Sequence, residues 1–502
     1  MEEILDTHVG QCIPVVVERG SQEMEMVVAV ECLHSITPSS FYQVSRSVLH
    51  STSYMQARNF NVPVKSAFLV SSGYMFARGG VPDKAILKRI DNEDVSDIDS
   101  AIRVLGRIPD GKDFTVKFVR IQAPDFPIST TLVMDRLWHT AAYYVRNDCS
   151  GRWDRTLLPP PPPTEPSKPV CAKYAPLSKA LPDYVSRAAR SLVVVRYHVV
   201  ICIDGLSTQA YLGTGVIVSK RLGLVLVDRN TVPHALGDAF ISFGGTARLH
   251  GRVVFVHPVQ NFSILQYDPS LLLPESNHEE VDFDPVMGSP GDAYHFVGLS
   301  TVKASSRGHT VVNEVKLTKL QELDVRKAYP PLFRATNTIA MYIDLPLHCE
   351  GAILVGRNGK VAGFYCSFSE KEGDEIVEFE ATVPSPFVVP SIEVLTVPER
   401  HRPLRHLELE LSPLSIIAAR NRGLSEERIA CFQERHEAQL LSIRAITQGT
   451  NCSALFITGD ILLAIDGELV SSFLEVERAT QAQFVNVTLL RDGEERDLRV
   501  ET

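Results

Sequence analysis

Short stretches of alternating apolar and polar residues, separated by Gly and Asn/Asp turns, dominate residues 183 to about 395. The clearest of them read GTGVIVS, GLVLVD, DAFISF, RVVFVHP, NFSILQYD and GKVAGFYCSF. A period of two places successive side chains on opposite faces of a strand. Many short strands at such a spacing indicate an antiparallel barrel or sandwich. The pattern therefore predicts a mainly β region in the middle of the chain.

A second pattern, in which strands flank one amphipathic helix, occurs on both sides of this region. Within residues 60–121 it comprises a strand (AILKRI), a tight turn (DNED), a helix from about Asp97 to Leu105 and a closing strand (FTVKFVRI). Residues 456–502 repeat it as FITGDILLAIDG followed by a helix and strands. The opening ILDTHVGQCIPVVVERG matches only the last helix-to-strand part of the pattern. We therefore expect two copies of one α/β module and part of a third.

A proline tract, LLPPPPPTEPSKP at residues 157–169, separates the two halves of the chain. Such a tract cannot form a helix or a central strand, and it favours an extended polyproline II spacer. Binding to an SH3 or WW domain is the alternative to a plain linker. The predicted organisation begins with a partial module at residues 1–30, a complete module at 31–125 and a connector that contains the tract at 126–180. The β region follows at residues 181–398, and a C-terminal module at 399–502.

Composition narrows the function classes. The 502 residues suggest three or four domains, and 44% hydrophobic with 22% charged residues is typical of a globular protein. The net charge of −10, without a basic stripe, argues against nucleic acid or an anionic membrane surface as the partner. No apolar run approaches the roughly 20 residues that span a bilayer. The longest, SLVVVRYHVVICI, is interrupted by Arg196 and His198.

Nine cysteines are scattered along the chain and none is spaced as C-x-x-C. This usage fits reduced thiols in a nuclear or cytoplasmic protein better than a disulfide framework. No pair of histidines has the spacing of metal ligands. We therefore expect neither a metal nor a cofactor.

Two segments carry a more specific signal: LGTGVIVSKRLGLVLVDRNTV at residues 212–232 and HCEGAILVGRNGKVAG at residues 348–363. They resemble the first-barrel and nucleophile segments of the HtrA/Deg family of serine proteases. The resemblance implies a trypsin-like double β-barrel flanked by PDZ-like modules. The phrases HSITPSSFYQV, RNTVP and FVHPVQNFSILQYDPSLL are similar to the degenerate C-terminal half of the tandem fungal nuclear pro-apoptotic and plant Deg-type proteases.

The resemblance also indicates where the catalytic residues of such a protease would lie. When the predicted strands of this chain are aligned with those of the family, the base histidine corresponds to Asn230, the orienting aspartate to Asn261 and the serine to Glu350. A serine becomes nucleophilic only when an imidazole can take its proton, and a carboxylate holds that imidazole in the right tautomer. A carboxamide is not basic near neutral pH, and Glu350 is no acyl-transfer nucleophile here. We therefore expect a pseudoprotease with a regulatory or scaffolding role.

The rival interpretation is an active endopeptidase, either of the serine type through another alignment or through Cys349. A thiolate nucleophile also needs a base, and the neighbouring histidines are His234 and His348. A buried, unreactive Cys349 is the simpler interpretation. Glu350 has two interpretations as well, because it could contact the backbone amides of a former oxyanion hole or be a solvated loop residue.

PDZ-like modules bind a peptide C-terminus by adding it as a strand to a sheet edge. In the C-terminal module the predicted groove is LSPLSIIAARNRGLS at residues 411–425, with five candidate binding residues: Leu411, Ser412, Ile416, Ile417 and Ala418. The predicted partners are peptide or protein C-termini and unfolded segments, and an HtrA-like protease half or a second copy of the chain. The alternatives are a closed groove that only packs on the barrel and a spacer that sets the geometry of an oligomer.

Overall fold

The structure is a computed structural model that describes residues 2–32, 37–160, 162–163, 167–177, 180–201, 203, 206, 208–301, 308–327, 333–345, 349–372, 375–397 and 403–502. The chain divides into two compact units, residues 1–167 and 168–502. The fold is mainly β, with short helices between the strands. Within the described ranges, no helix combines the length and the apolar character needed to cross a bilayer.

The first unit begins with a helix and a separate two-stranded hairpin. These elements are α1 (Glu2–Thr7), β1 (Cys12–Arg19) and β2 (Gln22–Ala29). Two residues with positive φ, Gly20 at 61° and Ser21 at 62°, turn the chain between the strands. This element order is that of the predicted partial module at residues 1–30.

A nine-stranded sheet forms the rest of the first unit. Its main path is β11-β10-β3-β4-β5-β6-β8-β9, and β7 pairs with β6. The strands are β3 (Ser40–Val44), β4 (Ser47–Ser51), β5 (Ala67–Ser71), β6 (Ala85–Ile90), β7 (Glu93–Asp94), β8 (Asp113–Arg120), β9 (Ala123–Val133), β10 (Ala142–Asn147) and β11 (Arg152–Leu157). The helices between them are α2 (Tyr54–Phe60), α3 (Met75–Arg78) and α4 (Ile98–Arg107).

The helix expected from about Asp97 to Leu105 is α4. Asp97 is its N-cap, since the carboxylate accepts the Ser100 N–H at 2.8 Å. The predicted boundary at residue 125 differs from the structure, because it falls inside β9, and β10 and β11 continue the sheet through the expected connector. Most side chains of β9 and all of β11 are exposed, so these strands lack the apolar alternation that would have revealed them.

The second unit contains two closed six-stranded barrels. The first has the order β12-β13-β14-β17-β16-β15 and the second β18-β19-β20-β23-β22-β21. Helix α5 (Asp183–Ser191) precedes the first barrel, which comprises β12 (Leu192–Val199), β13 (Ala210–Ser219), β14 (Leu224–Val227), β15 (Gly237–Phe243), β16 (Ala247–Val256) and β17 (Ser263–Tyr267). The second comprises β18 (Ala293–Thr301), β19 (Gly308–Leu323), β20 (Thr338–Ile343), β21 (Ala352–Val355), β22 (Val361–Glu372) and β23 (Glu375–Pro384).

The glycines of the GTG motif have a packing role in the first barrel. A Cβ atom at Gly215 would lie 2.6 Å from Val225 and 2.9 Å from Val195, inside the barrel core. Only glycine leaves room for the side chains of the neighbouring strands. The motif that carries the family resemblance is thus also required by the packing of the barrel.

A five-helix α/β module completes the second unit. Its helices are α6 (Ser385–Thr396), which leads into the module, α7 (Ile416–Asn421), α8 (Glu426–Glu434), α9 (Cys452–Leu455) and α10 (Phe473–Ala479). The strands are β24 (Leu409–Ser415), β25 (Gln439–Ile446), β26 (Ile461–Ile465), β27 (Glu468–Leu469), β28 (Phe484–Arg491) and β29 (Glu494–Glu501), in the order β24-β25-β26-β28-β29 with β27 on β26. The predicted boundary between residues 398 and 399 lies outside the described residues.

One hydrophobic core runs through the barrels and the C-terminal module. Buried members include Phe262 of the first barrel, Phe364 of the second and Phe456 of the module. The module is therefore packed against the barrels rather than tethered to them.

Candidate functional site

Asn230 lies in the turn that follows β14. Its Nδ2 donates to Ser367 Oγ at 3.1 Å, and its Oδ1 accepts from Ser369 Oγ at 2.7 Å. Both serines belong to β22 of the second barrel. The two ends of the carboxamide are therefore held by the opposite barrel, and neither is a proton acceptor of the kind a protease base provides.

Asn261 precedes β17 and is 2% exposed. Its Oδ1 accepts the Arg229 N–H at 3.1 Å, and its Nδ2 donates to the Ser367 carbonyl at 2.7 Å. An aspartate could make the first of these contacts but not the second, because it has no donor when ionised. Asn261 thus joins the two barrels at the same residue as Asn230.

Asp228 is a functional candidate that the sequence reasoning missed. Its carboxylate accepts the Thr231 N–H at 2.6 Å and is 3.3 Å from Ser367 Oγ. Burial raises the pKa of Asp228. The hydrogen bonds run from Ser369 through Asn230 and Ser367 to this buried carboxyl. An acid that closes the apolar run GLVLVD was the signal that could have identified it.

Glu350 extends the strand pairing of β18 and β21. Its N–H donates to the Leu299 carbonyl at 3.2 Å, and the Leu299 N–H donates to the Gly351 carbonyl at 3.2 Å. The Glu350 carbonyl accepts the Thr214 N–H at 3.1 Å. The backbone amide at the expected nucleophile position is therefore used inside the fold, and it does not point at a reacting carbonyl.

A cavity of about 530 Å³ lies between the two barrels. Asn230, Cys349 and Glu350 line it together, whereas Asn261 is buried behind it. The carboxylates of Glu378 and Glu380 also line the cavity, which gives it an acidic character. Among the described residues, no group of His, Cys, Asp and Glu side chains is arranged to hold a metal ion.

Cys349 is 8% exposed, and its thiol lies 3.6 Å from the Gly351 carbonyl. Burial, reinforced by the nearby carboxylates, raises the pKa of Cys349 to about 12, so the thiol is not ionised at neutral pH. His234, four residues after Asn230, bonds through Nδ1 to the Tyr197 hydroxyl at 2.9 Å and does not line the cavity. His348 lies outside the described residues.

The five predicted peptide-binding residues do not form one surface. Leu411 is buried on β24, and Ser412 is half-buried beside it. Ile416, Ile417 and Ala418 lie on α7, where Ile417 is 71% exposed. Leu411 lines the cavity beside α10, which residues 416–418 do not line, so the structure separates it from the three residues of α7.

That cavity, of about 430 Å³, lies between α10, residues 403–411 and the first barrel. Its walls are largely apolar, with Phe255, Leu407, Leu411, Phe473 and Val476 among the lining residues. Two titratable groups that line this cavity have shifted pKa values. Burial raises the pKa of Glu477 to about 7, and burial lowers the pKa of His257 to about 3. The Gln260 N–H donates to His257 Nδ1 at 2.9 Å, which fixes the neutral ring.

Two closed barrels with a cleft between them, followed by a packed α/β module, define a trypsin-like fold with PDZ-like modules. A model of the PDZ-like domain family matches residues 35–111. Pro-apoptotic serine protease NMA111 of Pyricularia oryzae is 28% identical over the whole chain and 49% of its own length. Protease Do-like 7 of Arabidopsis thaliana is 27% identical over the whole chain and 57% of its own length. Over its whole length the chain is thus similar to serine proteases of the HtrA type.

The chain spans about half the length of the curated relatives it matches. Among solved structures, HtrA-type protease AlgW with decapeptide is 16% identical and covers 63% of this chain and 96% of its own, with a TM-score of 0.41. The serine endoprotease from Yersinia pestis is 14% identical and covers 65% of this chain and 98% of its own, with a TM-score of 0.37.

Proposed function

We propose that this chain is a non-catalytic portion of an HtrA-like serine protease. In this proposal it binds peptide or protein C-termini and unfolded segments, and acts as a regulatory or scaffolding element in the nucleus or cytoplasm. The buried free thiols of Cys349, Cys366 and Cys452 suit a reducing compartment. A protease half of the same family and a second copy of the chain are further proposed partners.

The arrangement around Asn230 is the observation that carries the proposal. Catalysis by a serine or cysteine protease requires a base that accepts the proton of the nucleophile. Asn230 lines the cleft, but its amide has no basic lone pair, and Ser367 and Ser369 occupy both of its ends. The cleft therefore offers a hydrogen-bonded amide where hydrolysis needs an imidazole.

A second argument concerns charge stabilisation in the transition state. Acyl transfer needs backbone N–H groups aimed at the developing oxyanion, and losing one such donor costs about 10²–10³ in rate. The Glu350 N–H is already bonded to the Leu299 carbonyl. Restoring a nucleophile alone would not restore this donor.

Two of the residues at the expected triad positions, together with the neighbouring Asp228, support a different role, which is to hold the two barrels together. Asn230, Asn261 and Asp228 belong to the first barrel, and all three bond to Ser367 of the second. Buried polar groups that are fully paired contribute to one fixed arrangement of the elements. Residues that would otherwise do chemistry thus fix the cleft.

Peptide binding is assigned to the C-terminal module. In the N-terminal PDZ-like unit, β3 already pairs with the outer edge of β4 (Tyr42↔Leu49), so no peptide strand can be added there. The equivalent strand of the C-terminal module is β24, since Ser53 and Ser415 cap the helices that follow β4 and β24. Within the part of the chain that the structure describes, β24 has no strand on its outer side, and the apolar cavity beside α10 can take a terminal side chain.

Hydrolysis assays test the first part of the proposal. The purified chain should neither degrade casein nor be labelled by a fluorophosphonate, because a triad loss costs about a millionfold in rate. Turnover that disappears in Cys349→Ala would instead establish the cysteine-protease alternative. Turnover that survives Cys349→Ala and reacts with the fluorophosphonate would show that the base and the serine lie elsewhere.

A further inference from the structure

Strand β24 is the outermost strand of its sheet, yet part of its outer edge is already hydrogen-bonded. Asn337, at the start of β20 in the second barrel, donates from Nδ2 to the Leu409 carbonyl at 2.8 Å. The Leu411 N–H donates to Asn337 Oδ1, also at 2.8 Å. One side-chain amide therefore satisfies a carbonyl and an N–H on either side of Glu410.

These two bonds, to the Leu409 carbonyl and the Leu411 N–H, are the bonds that a residue of an added parallel strand would make with β24. A residue in a neighbouring parallel strand bonds to the carbonyl before and the N–H after the residue opposite it. Asn337 makes the same two bonds with its side chain, on the edge where a peptide strand would add. An incoming peptide and Asn337 cannot both use Leu409 and Leu411.

The contact is supported by its surroundings. Arg334 makes a two-fold salt bridge with Glu410, in which Nη1 and Oε1 are 3.1 Å apart, and both side chains are largely buried. Asn337 adopts a positive φ of 51°, which asparagine tolerates better than most residues. Its carbonyl accepts from Gln260 Nε2 at 3.3 Å, and Gln260 lines the cavity. The segment that contacts β24 is thus fixed on both sides.

We propose that residues 334–337 are an internal competitor for the peptide edge of β24, with Asn337 in the place of a peptide residue. This inference rests on the proposed peptide binding by the C-terminal module. A peptide binds only when this segment releases β24, so the observed affinity is the intrinsic affinity multiplied by the released fraction. The second barrel therefore controls access to the groove.

The test is Asn337→Gly in the intact 502-residue chain, since glycine accepts the positive φ and removes only the amide. The probe is a fluorescein-labelled hexapeptide that ends in a free valine carboxylate. We expect its affinity to rise by about tenfold to thirtyfold, as two hydrogen bonds of about 1 kcal/mol each no longer hold the edge. Equal affinity of wild type and Asn337→Gly would overturn the inference.

Asn277→Ala is the matched control. Asn277 makes the same kind of two-point contact with backbone, accepting the Tyr174 N–H at 2.8 Å and donating to the Tyr174 carbonyl at 3.3 Å. That contact is remote from the groove, because Asn277 does not line the cavity beside α10. Asn277→Ala should leave the affinity for the hexapeptide unchanged. An equal rise in both variants would mean that general loosening of the barrel, and not release of β24, admits the peptide.

Hydrogen exchange at the Leu411 amide separates this inference from the proposed function. In the wild type this amide should exchange slowly, and in Asn337→Gly at least about tenfold faster. Unchanged exchange would overturn the inference whatever the peptide does. Accelerated exchange without hexapeptide binding in any variant would refute peptide binding itself, and with it the competition.

Discussion

At the residue scale, the asparagines at positions 230 and 261 differ in what they can bind from the histidine and aspartate of a catalytic triad. A carboxamide offers a donor and an acceptor at once, so Asn230 and Asn261 can each bridge two groups without carrying charge into the interior. Both use this to reach Ser367. The sequence indicated the two positions, but not their partner, because Ser367 lies 137 residues after Asn230 and 106 after Asn261.

Glu477, which lines the cavity beside α10, leads to a prediction about the pH dependence of stability. Its pKa is raised from 4.5 to about 7, so the folded state favours the neutral carboxyl. Stability from this group is present below pH 4.5 and is lost as the pH rises through 7. Glu477→Gln should therefore raise the free energy of unfolding by on the order of 2 kcal/mol at pH 8 and by less than about 1 kcal/mol at pH 5.

Urea denaturation at the two pH values measures this difference. Glu468→Gln is the control, because Glu468 lies exposed on β27 of the same module. It should change the stability at neither pH. A gain from Glu477→Gln that is equal at pH 5 and pH 8 would show that the ionisation of Glu477 is not its cause.

At the element scale, the pairing of β18 with β21 extends as far as residue 350 and occupies its backbone amide. The pairing runs from His295↔Val355 to Gly298↔Ala352, and Leu299 continues it with Glu350 and Gly351. Among the described residues here, the Glu350 N–H is occupied by this pairing, which in our proposal leaves it unavailable to a developing oxyanion.

This pairing predicts the outcome of a repair experiment. Asn230→His, Asn261→Asp and Glu350→Ser together should give no detectable hydrolysis, since the amide at residue 350 remains bonded to Leu299. Asn261→Asp also places a carboxylate against the Ser367 carbonyl, which should lower the free energy of unfolding by on the order of 3 kcal/mol. Casein hydrolysis and urea denaturation measure the two effects.

Glu350→Ser alone is the control for this experiment, and it should be both inactive and close to wild type in stability. Hydrolysis by the triple variant would contradict the account of the strand pairing. Hydrolysis by the single variant would show that Asn230 is not at the position of the base.

The elements also show how far the sequence could lead. Alternating apolar residues predicted the barrel strands, because each strand has one face in a core. The same reasoning missed β9 and β11, whose side chains are mostly exposed, and β10, whose side chains are mostly buried or half-buried. It also grouped Leu411 with three residues of α7 in one predicted groove, whereas in the structure Leu411 lies on β24 and those three residues lie on the helix that follows. The wall formed by Phe255 and Pro258 lies about 150 residues earlier and leaves no local signal.

At the scale of the whole molecule, the second unit behaves as one packed body. Its core passes from the barrels into the C-terminal module, and Arg334 and Asn337 bind the edge of β24 directly. In our proposal, a peptide that adds to β24 must replace these contacts, so its binding is coupled to the second barrel. In our proposal, the cleft between the barrels and the C-terminal module therefore remain coupled, although the cleft no longer catalyses hydrolysis.

The most direct test of this account is to titrate the labelled free-acid hexapeptide with the intact chain, and to recover the peptide for mass spectrometry. We predict a dissociation constant on the order of 10–100 μM, because one apolar pocket contributes only about 1.5–3 kcal/mol beyond the main-chain bonds. The C-terminally amidated peptide should bind at least about tenfold more weakly, and the recovered peptide should be intact. Cleaved peptide, or equal binding of acid and amide, would contradict peptide capture without hydrolysis.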